Sequence, residues 1–376
     1  MRRAAFCALA VGWTALCGCN WLAGPQPIRP ISTAPPAGWK PLKITHVRLA
    51  VEKLGQIPNS GLLLPAVSPD GQWIAYLKTA PQAAASSQSL LTGKHLAGVA
   101  LVLRRTRPGA APKTICPSGA AWPTWSADGR CLAFVVAAED GRCRIGLHDL
   151  AGGTTRRVSV GARWMIMPAV SPDAGRIAAA VALDVPGRSR LHLLDVRTAA
   201  LSPAPAGQKT PWQLWPLWQD GGVVFLQRSG ETAALMQWTP AEPKARRLTD
   251  LVAAEGMSDA FRLLAAVPRP LSPDGRRLAF YDMWQDRVRI ADLSGGAARM
   301  LPPRTRAACW FGDDFLLAAT DEELLLASSR GDQRKRLLRG KWLPLWADPR
   351  TRQVIVCTPG AEPWTFGLVR LRLISE

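Results

Sequence analysis

The stretch Pro65-Ala66-Val67-Ser68-Pro69-Asp70-Gly71-Gln72-Trp73-Ile74-Ala75-Tyr76 constrains this chain most, because the sequence writes it repeatedly. "WPTWSADGRCLAF" begins at Trp122, "MPAVSPDAGRIAA" at Met167, "WPLWQDGGVVFL" at Trp215 and "PRPLSPDGRRLAF" at Pro268. Two looser copies follow, "ACWFGDDFLLAA" from Ala308 and "LPLWADPRTRQVIVC" from Leu343. The aligned acidic residues are Asp70, Asp128, Asp173, Asp220, Asp274, Asp313 and Asp348. They are spaced by 58, 45, 47, 54, 39 and 35 residues, a mean of about 46. Seven units of that length match the blade of a propeller.

The composition of the repeat explains its shape. Ser, Pro, Asp and Gly in that order suit a type I turn: proline presets φ, the serine hydroxyl can bond the turn backbone, and glycine accepts positive φ. Apolar runs flank the turn, such as Leu132-Ala133-Phe134, Val223-Val224-Phe225 and Leu278-Ala279-Phe280. They are continuous rather than alternating, so both faces of each hairpin are expected to be covered. The aspartates are therefore read as turn formers, not as catalytic or calcium-binding groups. A third strand follows in most units, as in Arg144–Leu150, Leu191–Val196 and Val288–Leu293. A more polar fourth strand comes next, as in Thr155–Val158 and Ala245–Thr249. Arginines on an outermost strand protect the sheet edge.

This pattern resembles the TolB-type propeller repeat, in which a Pro-x-Trp-Ser-Pro-Asp-Gly block precedes a hairpin and an Asp-Leu-x-Gly-Gly turn. The resemblance covers residues 43–376 and implies an all-β fold. We expect a seven-bladed β-propeller of four-stranded antiparallel blades, with six blades, the TolB number, as the alternative. The last unit lacks an outer strand, whereas the alternating segment 44–51 has no other partner. We expect it to pair beside residues 366–374 and close the ring.

The first residues point to the cell envelope. Arg2 and Arg3 precede an apolar stretch, Ala4–Ala15, that is too short to span a bilayer. Leu16-Cys17-Gly18-Cys19 then resembles a bacterial lipoprotein signal. The resemblance implies a signal peptide over 1–18 and a diacylglyceryl thioether on Cys19, with Asn20 favouring the outer membrane. Residues 19–42 hold prolines at 25, 27, 30, 35, 36 and 41 and read as an extended tether. The expected localisation is the periplasmic side of the outer membrane.

Charge and composition leave few other classes. The formal net charge is +19. A basic chain favours anionic partners, although arginines on outer strands account for much of the excess. Arginine pairs such as Arg104-Arg105 and Arg156-Arg157 lack interleaved aromatics, so nucleic acid is not expected as a partner. Cys116, Cys131, Cys143, Cys309 and Cys357 show no metal spacing and read as buried free thiols. The four histidines are His46, His95, His148 and His192. The last two fall in third strands, away from a central channel, so no shared metal site or cofactor is expected. No Gly-x-Ser-x-Gly elbow or phosphate loop occurs.

Tryptophan is over-represented, with 16 Trp against 2 Tyr. Trp125, Trp218, Trp310 and Trp346 read as wedges between blades. Trp122, Trp164, Trp212, Trp215 and Trp342 lie near the loops before first strands, and Trp284 and Trp364 near the loops after second strands. These loops share one face, so the seven are the candidate partner-binding rim. The function expected is that of a noncatalytic envelope lipoprotein whose propeller binds a protein or glycan, with an envelope-integrity role by analogy with TolB. The alternative is a polysaccharide-acting enzyme or a lectin-like carbohydrate-binding propeller.

Overall fold

Each Ser-Pro-Asp-Gly stretch closes a hairpin with the same set of bonds. In the first copy Gly71 N–H donates to the Ser68 carbonyl at 2.9 Å, and Ser68 N–H to the Trp73 carbonyl at 2.9 Å. Asp70 Oδ1 accepts the Ser68 hydroxyl and, at 3.0 Å, the Gln72 N–H. Ser68 Oγ in turn accepts the Trp73 N–H at 2.9 Å. Ser126 with Asp128, Ser171 with Asp173, and Ser272 with Asp274 repeat the arrangement. One aspartate oxygen thus fixes a hydroxyl and a backbone donor at once, as a turn former does.

The computed structural model describes residues 47–375, apart from 59, 61–62, 81–95, 183–188, 205–211, 220, 230–231, 252–266, 283–285, 295–297, 303 and 361–364. Seven antiparallel sheets follow in order. Blade one holds Ala66–Val67, Trp73–Thr79, Val99–Arg105 and Lys113–Cys116. Blade two holds Ala120–Trp125, Cys131–Ala137, Cys143–Asp149 and Thr154–Ala162. Blade three holds Trp164–Val170, Arg176–Ala182, Arg190–Asp195 and Leu201–Pro203, and blade four Trp212–Gln219, Gly222–Ser229, Thr232–Trp238 and Arg246–Leu251. Blade five holds Arg277–Asp282, Arg287–Asp292 and Arg299–Met300, its inner segment joined through the single bridge Leu271 to Leu278. Blade six holds Ala307–Phe311, Phe315–Ala319, Glu323–Ser328 and Arg334–Arg339. Blade seven holds Leu343–Asp348, Gln353–Pro359, Thr365–Ser375 and, as its outer strand, Val47–Pro58. The architecture is a seven-bladed β-propeller.

The ring closes as the alternating N-terminal segment suggests. Val47–Pro58 runs antiparallel to Thr365–Ser375, from Val47 opposite Ser375 to Pro58 opposite Thr365. The pairing continues seven residues past Val51, across a bulge at Gly55, whose φ is +101°.

Packing between blades uses the runs that the sequence leaves apolar on both faces. Trp164–Val170 is buried throughout, and Cys131–Ala137 at all but its last residue. Four tryptophans lock neighbouring blades by donating from Nε1 to an inner-segment or turn carbonyl. Trp125 reaches Ala66 at 3.0 Å, Trp218 reaches Ala169 at 2.7 Å and Trp310 reaches Pro270 at 2.9 Å. Trp346 of blade seven reaches Pro69 of blade one at 3.1 Å. The side chains thus combine large buried area with a satisfied polar end.

Candidate functional site: the central channel

The inner strands are irregular where they face the axis. Pairing is interrupted between Ala121 and Thr124, between Ile166 and Ala169, and between Leu214 and Leu217. Each interruption holds a bulky residue followed by proline: Trp122-Pro123, Met167-Pro168 and Trp215-Pro216. Trp122, Met167 and Trp215 take positive φ, at 55°, 53° and 59°. Such a backbone costs a non-glycine residue roughly 1–2 kcal/mol. Proline has no N–H to lose from the ladder, so it tolerates the unpaired place. The three prolines then line the channel.

Two adjoining cavities occupy the axis. The smaller, about 200 Å³, is walled by Leu63, Leu64, Pro65, Trp122, Met167, Trp215 and their neighbours, with no charged side chain among its lining residues. The larger, about 510 Å³, shares Ala66, Pro123, Thr124 and Pro268 with it. Its wall continues to Pro69, Ala127, Pro273, Gly312, Asp313, Asp348, Pro349 and Arg350, which belong to the hairpin turns. The larger cavity therefore opens on the turn face, and the channel has a charged end and an apolar end. Its volume lies in the range of small-ligand sites.

Arg269 supplies the charge nearest the axis. Three residues before the turn serine stand Pro65, Pro123 and Pro168 in blades one to three, and Arg269 in blade five. Its side chain lines the larger cavity and makes no hydrogen bond or ion pair with the described residues. Desolvation pulls its pKa down, opposed by the facing groups Cys309, Asp348 and Asp70 from blades six, seven and one. Those carboxylates hold other partners. Asp348 accepts the Arg350 N–H at 3.0 Å, the Arg350 Nε at 3.2 Å and the Thr351 hydroxyl at 3.0 Å, while Asp70 holds its turn. Asp313 accepts the Asp274 N–H at 2.9 Å, and burial, then the nearby Asp274 charge, raise its pKa.

The residues expected to form a tryptophan rim fall in different places. Trp122, Trp164 and Trp215 are buried, 8%, 7% and 8% exposed, and Trp122 and Trp215 also wall the smaller cavity. The bulge explains two of them: positive φ at Trp122 and Trp215 turns the indoles into the wall. Trp164 is buried with its Nε1 unbonded among the described residues. Trp212 and Trp342 are half-buried, the latter donating to the Arg339 carbonyl at 2.9 Å. Trp284, Trp364 and Cys19, the residue expected to carry the lipid, lie outside the described residues, as do His46 and His95.

His148 and His192 lie in third strands, buried, bonded to the Thr155 hydroxyl at 2.9 Å and the Arg190 carbonyl at 3.1 Å. The five cysteines that the structure describes are free and buried. Burial pushes the Cys357 thiol up to about 12, and those of Cys131 and Cys309 to about 11, leaving them unreactive. Among the described residues no cluster of three or more His, Cys, Asp or Glu is placed to hold a metal. The sequence reading missed Arg269, whose one signal was an arginine where sister repeats write proline.

Comparison with solved structures places this geometry among known folds. The propeller domain of the Trilobed protease from Pyrococcus furiosus is 15% identical, with a TM-score of 0.55 over 84% of this chain and 98% of that one. The oligogalacturonate lyase from Vibrio parahaemolyticus is 10% identical, with a TM-score of 0.55 over 89% of this chain and 98% of that one. The chain is a seven-bladed β-propeller. TolB from Acinetobacter baumannii is 20% identical, with a TM-score of 0.48 over 72% of this chain. The propeller covers 65% of that TolB chain, just under two thirds of its length. No family model and no curated protein matches the chain. Identities this low establish the shared fold and leave activity to the residues of the propeller itself.

Proposed function

We propose that this chain is a noncatalytic cell-envelope lipoprotein, tethered through Cys19 on the periplasmic side of the outer membrane, whose propeller binds a protein or glycan partner. One observation carries the binding reading: a channel of ligand size opens on the turn face and carries a guanidinium that has no hydrogen bond or ion pair among the described residues. The carboxylates around it are engaged in turns, and His148 and His192 sit in the third strands. These groups support recognition better than proton transfer, which needs a base within reach of the ligand. The scaffold role follows TolB by analogy of the repeat alone. A polysaccharide-acting or lectin-like propeller would use the same opening.

Crosslinking in cells tests the reading. A photo-crosslinking residue at the exposed Ala127, on the channel mouth, is expected to capture a partner, and one at Trp212 is not. Capture from position 212 alone would return the site to the tryptophan face. Turnover of a polysaccharide by the purified protein would overturn the noncatalytic assignment.

A further inference from the structure

Arg269 breaks the rule that its own repeat sets. Pro65, Pro123 and Pro168 occupy the equivalent place, where a rigid ring without an N–H suits an inner segment facing the axis. Blade five keeps prolines on both sides, Pro268 and Pro270, and inserts a long cation between them. The flanking rings hold the backbone stiff, and the side chain extends into the larger cavity toward blades six, seven and one.

A guanidinium offers five donors in a planar fork, matched to two oxygens of a carboxylate or phosphate. Arg269 is half-buried, and its nitrogens are not among the buried polar atoms left without a bond, so the guanidinium stands at the cavity wall with its fork open to the cavity. Among the described residues it has no hydrogen bond or ion pair. Asp348 and Asp70 face Arg269 yet stay beyond ion-pair distance, bonded to Arg350, Thr351, Ser68 and Gln72. A guanidinium fork with no bond among the described residues, the 510 Å³ space and the basic charge of the whole chain, +19, all favour an anion entering from the turn face.

We propose that the central channel is an oxyanion-binding site, in which Arg269 takes a carboxylate or phosphate group of a small ligand through paired N–H bonds. This deepens the channel reading above and rests on it for the location of the site. The test uses small anions and purified protein, so its failure is distinct from failure to capture a partner in cells.

The full chain in detergent would be titrated calorimetrically with sodium acetate and, separately, inorganic phosphate, at constant ionic strength made up with chloride. Saturable one-to-one binding is expected in at least one arm, and the arm that binds identifies the oxyanion. Arg269→Gln should weaken it at least tenfold. Arg269→Lys, which keeps the charge and loses the fork, should weaken it less. Arg130→Gln, removing a cation whose side chain is 81% exposed, should leave it unchanged. Arg269→Gln should also melt within a few degrees of the parent without ligand, because the half-buried side chain makes no bond among the described residues. Absence of saturation in both arms, equal affinity in Arg269→Gln, or equal losses in Arg130→Gln would overturn the assignment. So would a large fall in melting temperature in Arg269→Gln, which would mark the residue as structural.

Discussion

Arg104, in the third strand of blade one, donates from its two terminal nitrogens to the carbonyls of Leu54 at 2.7 Å and Gln56 at 2.8 Å, in the outer strand of blade seven. Its side chain is thus a stitch between the two ends of the ring. The bulge at Gly55, with φ at +101°, stands between those two carbonyls. A second stitch runs in parallel: Arg370 bonds Glu52 within its own blade at 2.9 Å and the Thr106 hydroxyl of blade one at 3.1 Å.

Replacing Arg104 by Met keeps the apolar stem and deletes both bonds. Each bond from a charged donor contributes about 1.5–3 kcal/mol, and the carbonyls left behind lose their partners. Arg104→Met is expected to destabilise the propeller by about 3 kcal/mol, read as a lower denaturant midpoint with an unchanged slope. An unchanged midpoint would show that backbone pairing alone closes the ring.

The third repeat writes Ser171-Pro172-Asp173-Ala174-Gly175, so its glycine comes one place late. Ala174 occupies the position of Gly71, Gly129 and Gly275 and takes φ of 53°. Ala174→Gly should relieve left-handed strain of about 1–2 kcal/mol against about 0.5–1 kcal/mol of added chain freedom. The expected result is a small gain in thermal stability. The reverse change at the first repeat is severe. A Cβ at Gly71 would stand 2.6 Å from the Trp346 ring, the residue that joins blade seven to blade one. Gly71→Ala should cost more than about 2 kcal/mol, since strain and overpacking combine. Equal effects of the two substitutions would refute this account of the turn.

What the sequence disclosed follows the range of the forces involved. Ser68, Asp70 and Gly71 act within five residues of one another, so spacing alone reveals their turn. The closing strand was legible because Val47–Val51 alternates and the last unit lacked a partner. The side-chain directions of Trp122 and Trp215 were not legible, because they depend on a positive φ before proline that residue type disfavours. Arg269 stood in plain view as a departure from the repeat. That it has no partner among the described residues depends on Asp70 and Asp348, which are engaged in their own turns and brought near by ring closure.

The anchor prediction rests on Leu16-Cys17-Gly18-Cys19, which lies outside the described residues. Cys19→Ser removes the only sulfur at the acceptor position and should release the protein from membranes into the soluble envelope fraction. A lipid anchor of several chains holds nearly permanently, so loss of the acceptor sulfur is expected to change the fraction in which the protein is found. Fractionation followed by detection of the protein reads the outcome. Persistent membrane association of Cys19→Ser would remove the lipoprotein assignment.

Acid sensitivity should come first from the two buried histidines. Burial, the largest cause, holds His148 below the ordinary 6.5; Lys113 adds to it and Asp149 opposes. Burial also lowers His192, with the Arg190 carbonyl opposing and the Arg190 charge assisting. The unfolded chain therefore takes up protons near pH 6.5, and the folded protein only at lower pH. Between those values the unfolded state binds more protons, so stability rises with pH there and falls on acidification. Each pKa unit of depression corresponds to about 1.4 kcal/mol. Asp173, Asp195 and Asp292, lowered from 3.8 by hydrogen bonds, contribute their losses only in more acid solution. The melting temperature is expected to be level between about pH 7 and 8 and to decline between pH 7 and 5 as His148 and His192 titrate, with Asp313, raised by burial, opposing at the acid end. A variant carrying His148→Gln and His192→Gln should show a shallower decline over that interval. Equal slopes in the two proteins would show that neither histidine couples its proton to the fold.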